Sequence, residues 1–200
     1  NMQLLKQIQN YQAPTNWLQI QTLDMHTGGE PLRVVYGGLP EIKGRTVLEK
    51  RCYFKEHYDQ LRTGLMWEPR GHADMYGAVI SASEDADFDV FFIHNEGYST
   101  MCGHAIIALT KLALETGMVN KPELVINVPA GKVYARAEMQ GGKVLRSSFR
   151  NVPSFLYLRE QLVEVPGLGK VAFDVAYGGA FYAFVEAGSV GLRLDATEYN

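Results

Sequence analysis

The run Gly103–Glu115, GHAIIALTKLALE, constrains this chain more than any other stretch. Beyond the opening His104 its only polar members are Thr110, Lys111 and Glu115. Its alanine, leucine, lysine and glutamate content favours helix, and Gly117 is placed to stop it. A helix that is apolar on nearly every side has to be buried on nearly every side, so other elements must wrap it. Strands are available for that role. Leu18–Leu23 alternates with period two, His26-Thr27-Gly28-Gly29-Glu30-Pro31 interrupts, and Leu32–Tyr36 resumes strand character. Met75–Ser81 reads as a strand and Asp89–His94 as a more deeply buried one. After the apolar helix come Glu123–Val128, Lys132–Met139, Lys143–Phe149, Lys170–Ala176 and Phe181–Val185. Glycine and proline separate them at Pro129-Ala130-Gly131, Gly141-Gly142 and Pro166-Gly167. The expected fold is therefore α/β, of the α+β type, with sheet wrapped around one central helix.

A second helix is predicted over Thr46–Arg62, where Val47, Leu48, Cys52, Phe54, Tyr58 and Leu61 recur roughly every third or fourth position and form its inward face. On that reading Cys52 is a structural cysteine. Residues 1–17 look like a short polar extension, 18–160 like a first lobe, and 161–200 like the start of a second, incomplete lobe. A weak internal echo fits this division: Gly28–Val35 and Gly178–Val185 both run G-G-x-x-x-x-x-V. The last residues, 192–200, resemble the opening of another element.

Composition removes several classes of function. Of 200 residues, 19 are basic and 22 acidic, a net charge of −3, which leaves no electrostatic footprint for nucleic acid or for an anionic membrane surface. Apolar runs fall far short of the ~20 residues that span a bilayer. The N-terminus lacks the apolar core of a secretory leader. Two cysteines cannot make a disulfide framework, so the expected location is the cytoplasm.

The residues with chemical potential gather in Asn95-Glu96-Gly97-Tyr98-Ser99-Thr100-Met101-Cys102-Gly103-His104, between a buried strand and the buried helix. Cys102 falls where the helix begins. Unpaired N–H groups and the positive end of the helix dipole favour anions there, so a lowered thiol pKa is expected, with thiolate available near neutral pH. The N–H groups of Gly103 and His104 could hold a carboxylate, and Gly103 lets a ligand approach the backbone. A base beside a carboxylate site suggests proton removal from the carbon α to that carboxylate. The competing reading of Cys102 is a buried structural cysteine. His57 reads as a solvated helix residue, and His26 and His72 as loop residues that either line a pocket or make structural hydrogen bonds.

Other chemistries fit less well. His94-Asn95-Glu96 followed by Cys102 shares part of the zinc-deaminase pattern, but the proline and second cysteine are missing, so three metal ligands do not assemble. A cysteine protease needs a histidine facing its thiol, and His104 is two positions along the same helix, where side chains are not expected to meet. No nucleophile elbow, P-loop or dinucleotide fingerprint is present.

Three blocks, His26–Arg33 (HTGGEPLR), Glu68–Ala78 (EPRGHADMYGA) and Met101–His104 (MCGH), resemble the proline racemase superfamily in identity and in order. The resemblance runs from about Leu18 onward. Within the superfamily, His94–Ala105, Asp74-Met75-Tyr76 and Val175–Phe184 look most like the dehydratases of trans-3-hydroxy-L-proline. The resemblance implies a fold like that of diaminopimelate epimerase: two lobes, each a curled mixed sheet around a central helix, with the active site between them. It implies that Cys102 is the catalytic base, that the backbone amides of Gly103 and His104 bind the substrate carboxylate, and that no metal or organic cofactor is needed. A homodimer acting on a small imino acid is the implied assembly. Racemases and epimerases carry a second cysteine in the other lobe and dehydratases a threonine, a position outside this sequence. Dehydration to Δ1-pyrroline-2-carboxylate is thus expected; proline racemisation, 4-hydroxyproline 2-epimerisation and non-catalytic amino-acid binding are the alternatives. A thiol titrating at ~8.5 or above favours binding.

Overall fold

The computed structural model describes residues 2–195. After a short helix α1 (Met2–Gln9), the chain forms strands β1 (Gln21–Thr27) and β2 (Glu30–Gly37), helix α2 (Val47–Met66), and strands β3 (Tyr76–Ser81), β4 (Phe88–His94) and β5 (Tyr98–Ser99). Helix α3 (Gly103–Glu115) follows, then β6 (Glu123–Val128), β7 (Gly131–Gln140), β8 (Lys143–Arg150), β9 (Phe155–Val165), β10 (Gly169–Tyr177) and β11 (Phe181–Phe184), with a final 3₁₀ turn at Ala187–Val190. Of the stretch expected to open a further element, residues 196–200 lie outside the described residues.

The first sheet runs β1-β2-β3-β4-β6-β7-β8, with β5 paired to β4. It is mixed: β2 pairs β3 and β4 pairs β6 in parallel, and the other neighbours are antiparallel. Helix α3 touches β1 and β2 at one end of this order and β7 and β8 at the other. A flat sheet could not bring both ends to one helix, so the sheet curls around it, and the predicted wrapping is what forms. Ala105, Ile106, Ala108, Leu109 and Ala113 are buried there with Leu32, Val34, Val90, Phe92, Leu124, Ile126 and Val133. Thr110 joins them because its hydroxyl donates to the Ile106 carbonyl one turn back (2.7 Å) and leaves no unsatisfied group. Lys111 and Glu115 are the exposed residues of this helix, and they pair with each other.

Strand β4 is buried on both faces, as its unbroken apolar run suggested. Phe88, Val90 and Phe92 point to the α3 side, while Phe91 and Ile93 point to a second cluster with Phe54, Leu65 and Met66 of α2. Two expectations for α2 need correcting. Cys52 is exposed. Phe54 is fully buried, and residues two apart on a helix lie ~200° around its axis, so Cys52 must face away. The helix also departs from helical geometry at Tyr58 (φ −135°, ψ 22°), so one i, i+4 stripe does not describe its buried face. Arg62, at the end of the predicted stretch, is 7 % exposed. Its guanidinium donates to the Asp59 carboxylate and to the His94 and Asn95 carbonyls.

The predicted interruption at His26–Pro31 shrinks to Gly28-Gly29, the turn of the β1–β2 hairpin. Both take positive φ (61° and 106°), as a two-residue hairpin loop requires. The echoing Gly178-Gly179 stands in the β10–β11 connection, also just before a strand. Strand β9, absent from the sequence reading, pairs with β10 to build a second sheet ordered β11-β10-β9. The change of sheet falls between Arg150 and Phe155, and β9 runs across position 160. The two sheets meet at the turn preceding α3: the Thr100 hydroxyl donates to the Gly179 carbonyl, and the Asn151 amide to the Gly178 carbonyl (2.7 Å).

Candidate active site

Cys102 is the N-cap of α3, with extended backbone (φ −144°, ψ 108°). The helical ladder begins with the Ile106 N–H on the Cys102 carbonyl (3.1 Å), so the amides of Gly103, His104 and Ala105 lie ahead of it as the free end of the helix. The predicted site residues are therefore brought together. A Cβ on Gly103 would approach the Phe149 ring to 3.3 Å, so the space beside this residue is already tight.

The thiol does not behave as expected. Cys102 is 7 % exposed, and burial pushes its pKa up to about 11. The Ala105 amide pulls the other way, the negative charge of Glu30 adds to the rise, and the His104 amide opposes it. The dipole argument gave the wrong sign because a helix terminus supplies ~0.3–2 kcal/mol, whereas removing a thiolate from water in this packed turn costs more.

A second expectation also fails. The His104 Nδ1 lies 3.3 Å from Cys102 Sγ. The rule that i and i+2 side chains diverge holds within a helix, and Cys102 is not helical: its extended φ/ψ turns Sγ back over the first turn. The other side of the imidazole, Nε2, sits 3.2 Å from the Pro31 carbonyl of β2. The His104 carbonyl accepts from the Thr27 hydroxyl of β1 (2.8 Å). The Tyr76 ring of β3 meets the imidazole edge-on at 5.1 Å and stacks on His94 on its other side. Thr27, Pro31 and Tyr76 thus serve the site as supports for His104, roles that their sequence blocks did not disclose.

The turn itself is held from the α2 side. The Tyr98 hydroxyl donates to Asp59 (2.7 Å), which also binds Arg62. These bonds hold the Asp59 carboxyl below the usual carboxylate range against the opposing effect of burial, while burial first and then the Asp59 contact push the Tyr98 phenol well up. The Asn95 side-chain amide donates to the Met66 and His72 carbonyls, and the Asn95 backbone carbonyl accepts from Trp67 Nε1. Of the remaining histidines, His57 is half-exposed beside Tyr53, His26 accepts from the Gly29 amide (3.3 Å), and His72 lies exposed against the Ala73 carbonyl. None of the three joins Cys102.

Residues 22–200 match the family described as "Proline racemase". The chain belongs to this family. It is 55% identical over 185 residues to a trans-3-hydroxy-L-proline dehydratase of Colwellia psychrerythraea, covering 90% of this chain and 52% of that protein. A trans-L-3-hydroxyproline dehydratase of Xenopus tropicalis is 50% identical over 188 residues, covering 90% and 54%. Among solved structures, a hydroxyproline epimerase from Agrobacterium vitis with bound trans-4-OH-L-proline superposes with a TM-score of 0.81 at 30% identity, over 89% of this chain and 54% of that one. The chain spans about half the length of the curated relatives it matches. The expected fold, a curled mixed sheet with few helices, is that of these structures.

Proposed function

We propose that this protein is a trans-3-hydroxy-L-proline dehydratase, a hydro-lyase in which Cys102 removes the Cα proton and the 3-hydroxyl departs, giving Δ1-pyrroline-2-carboxylate. The observation that carries the substrate choice is the 55% identity to a named dehydratase over 90% of the chain, against 30% to the epimerase. The site supports the chemistry. Sγ of Cys102 sits at the open end of α3, where the amides of Gly103 and His104 can take a carboxylate and stabilise the enolate-like charge as the proton leaves. General-base action by a positioned group contributes ~10²–10⁴ in rate. A cytoplasmic homodimer that needs no cofactor belongs to the same reading. So does a two-lobe division, with the first lobe closing in the 151–154 link where the sheets change.

Two other readings each have one observation behind them. The bound trans-4-OH-L-proline of the Agrobacterium vitis protein favours 2-epimerisation. The raised Cys102 thiol favours binding without turnover. Incubating the full-length enzyme in D₂O with trans-3-hydroxy-L-proline, trans-4-hydroxy-L-proline and L-proline separates all three. Dehydration releases a ketimine from the first substrate; epimerisation inverts the others with deuterium at Cα; binding leaves every substrate unchanged. Cys102→Ser is expected to abolish ketimine formation, and retained turnover would remove the cysteine from the reaction.

A further inference from the structure

We propose that the β10–β11 loop sets the position of the Cys102 thiol: Thr100 and Gly179 are positioning residues that fix where Sγ stands against the Cα of the substrate. This deepens the cysteine-base reading above and rests on it. Ser99 still pairs with Phe92 in β5, and Gly103 already begins α3, so Thr100, Met101 and Cys102 form the link between sheet and helix. The first sheet grips this link on one side, where the Ala130 amide donates to the Thr100 carbonyl (3.1 Å). The second sheet grips it on the other. The Thr100 hydroxyl donates to the Gly179 carbonyl, and Gly179 backs directly onto the Met101 side chain.

Only glycine permits that approach. Gly179 is buried at φ 111°, and a Cβ there would lie 2.7 Å from the Met101 Cβ. The loop is tied down firmly enough to serve as an anchor. The Asn151 side chain donates to the Gly178 carbonyl (2.7 Å) and accepts from the Val152 amide (2.8 Å), which fastens the loop to the segment that crosses between the sheets. At the base of the loop the Tyr177 ring stacks on Phe155 at 5.2 Å and meets Phe181 at 4.9 Å. A latch in this place acts on the thiol and not on the carboxylate site. The amides of Gly103 and His104 belong to α3, which is held by its own buried side chains and by the Thr27 bond to the His104 carbonyl. Sγ hangs instead from the extended end of the link. Releasing the link therefore shifts the base relative to Cα and leaves carboxylate binding in place. A misplacement of ~1 Å between reacting groups costs about 10²-fold in rate.

The test is steady-state kinetics of the full-length enzyme on trans-3-hydroxy-L-proline, read as ketimine release well below the thermal midpoint of each variant. Thr100→Val keeps the branched shape and removes the hydroxyl, whereas Thr100→Ser keeps the hydroxyl. The valine variant should lose about tenfold or more in kcat with KM held within about twofold, and the serine variant should recover most of that loss. A hydroxyl with a purely structural role would lower the thermal midpoint and leave the kcat of the folded enzyme unchanged. An unchanged kcat in the valine variant overturns the latch, as does a loss carried by KM or a serine variant as slow as the valine one. Should Thr100→Val fail to fold, Asn151→Ala frees the same loop from its more exposed end. A lower kcat at constant KM then supports the proposal, and an unchanged kcat overturns it. An active Cys102→Ser enzyme would sink the cysteine-base reading itself, whereas an inactive one beside an unaffected Thr100→Val enzyme would sink only the latch.

Discussion

The two long helices are held in opposite ways. Helix α2 starts with a complete capping box: the Thr46 hydroxyl accepts from the Glu49 amide (3.1 Å), and the Glu49 carboxylate accepts from the Thr46 and Arg45 amides. It is charged, packs on the outer face of the sheet and bends at Tyr58. Helix α3 has no side-chain cap at all, yet it runs straight through the centre with nearly every side covered. Local signals define the start of α2, whereas tertiary burial holds α3. The lesson concerns the site: the helix that depends least on its own N-terminus is the one whose N-terminus is left open for chemistry. A capping serine, threonine or aspartate at 102 would close the amides that a carboxylate needs.

That contrast can be broken at several points. The largest effect expected is at Cys102→Ser in the full-length enzyme, a fall in turnover of at least ~10²–10⁴, measured by ketimine formation. The same substitution should raise the thermal midpoint of the 200-residue chain, because a serine oxygen accepts from the His104 and Ala105 amides more strongly than the sulfur beside them does; a clear drop would show that a stronger cap is not what this terminus lacks. Next comes Leu109→Ala, which empties a fully buried position in the α3 cluster and should cost ~2–5 kcal/mol in urea unfolding. Thr46→Ala removes the α2 cap and should cost only ~0.5–2 kcal/mol by the same measurement. If Thr46→Ala costs more than Leu109→Ala, the division between local and tertiary support is wrong.

The smallest effect concerns pH. The Asp59 carboxyl is held below its unfolded value by Arg62 and Tyr98, so the stability it contributes is fully present above ~3.9 and is lost as pH falls through the lower folded value. Asp59→Asn should therefore flatten the acid limb of a stability–pH curve below about pH 4. The side chain is well exposed, so screening keeps the change small. An unaltered limb would show that this carboxylate does not help tie α2 to the turn before Cys102.

How much was legible in advance differs by element. The bounds of α3 follow from its residues alone, because an unbroken apolar run between a glycine-rich turn and Gly117 leaves few other arrangements. Strand β9 was hidden for an equally specific reason. Glu160 takes φ 52° and donates its N–H to the Asp174 carboxylate (2.7 Å), which places a bulge mid-strand and breaks the two-residue period that identifies a strand. Nearly all of β9 is also exposed, so it carries no buried face to leave a pattern. Cys52 was misjudged because it was placed on one face with Phe54, two positions and ~200° around the helix axis from it.

The sequence by itself determined the curled sheet, the helix it encloses, the placing of Cys102, Gly103 and His104 at one turn, and the family. Those features rest on neighbours in the chain: period, caps, turn residues and motif order. Only the tertiary structure decided that the thiol is pushed up and that an imidazole faces it, with Pro31 and Tyr76 supporting that ring. Desolvation depends on everything that packs around an atom, and the meeting of residues 102 and 104 depends on one extended φ/ψ pair at the cap. Neither quantity is encoded locally.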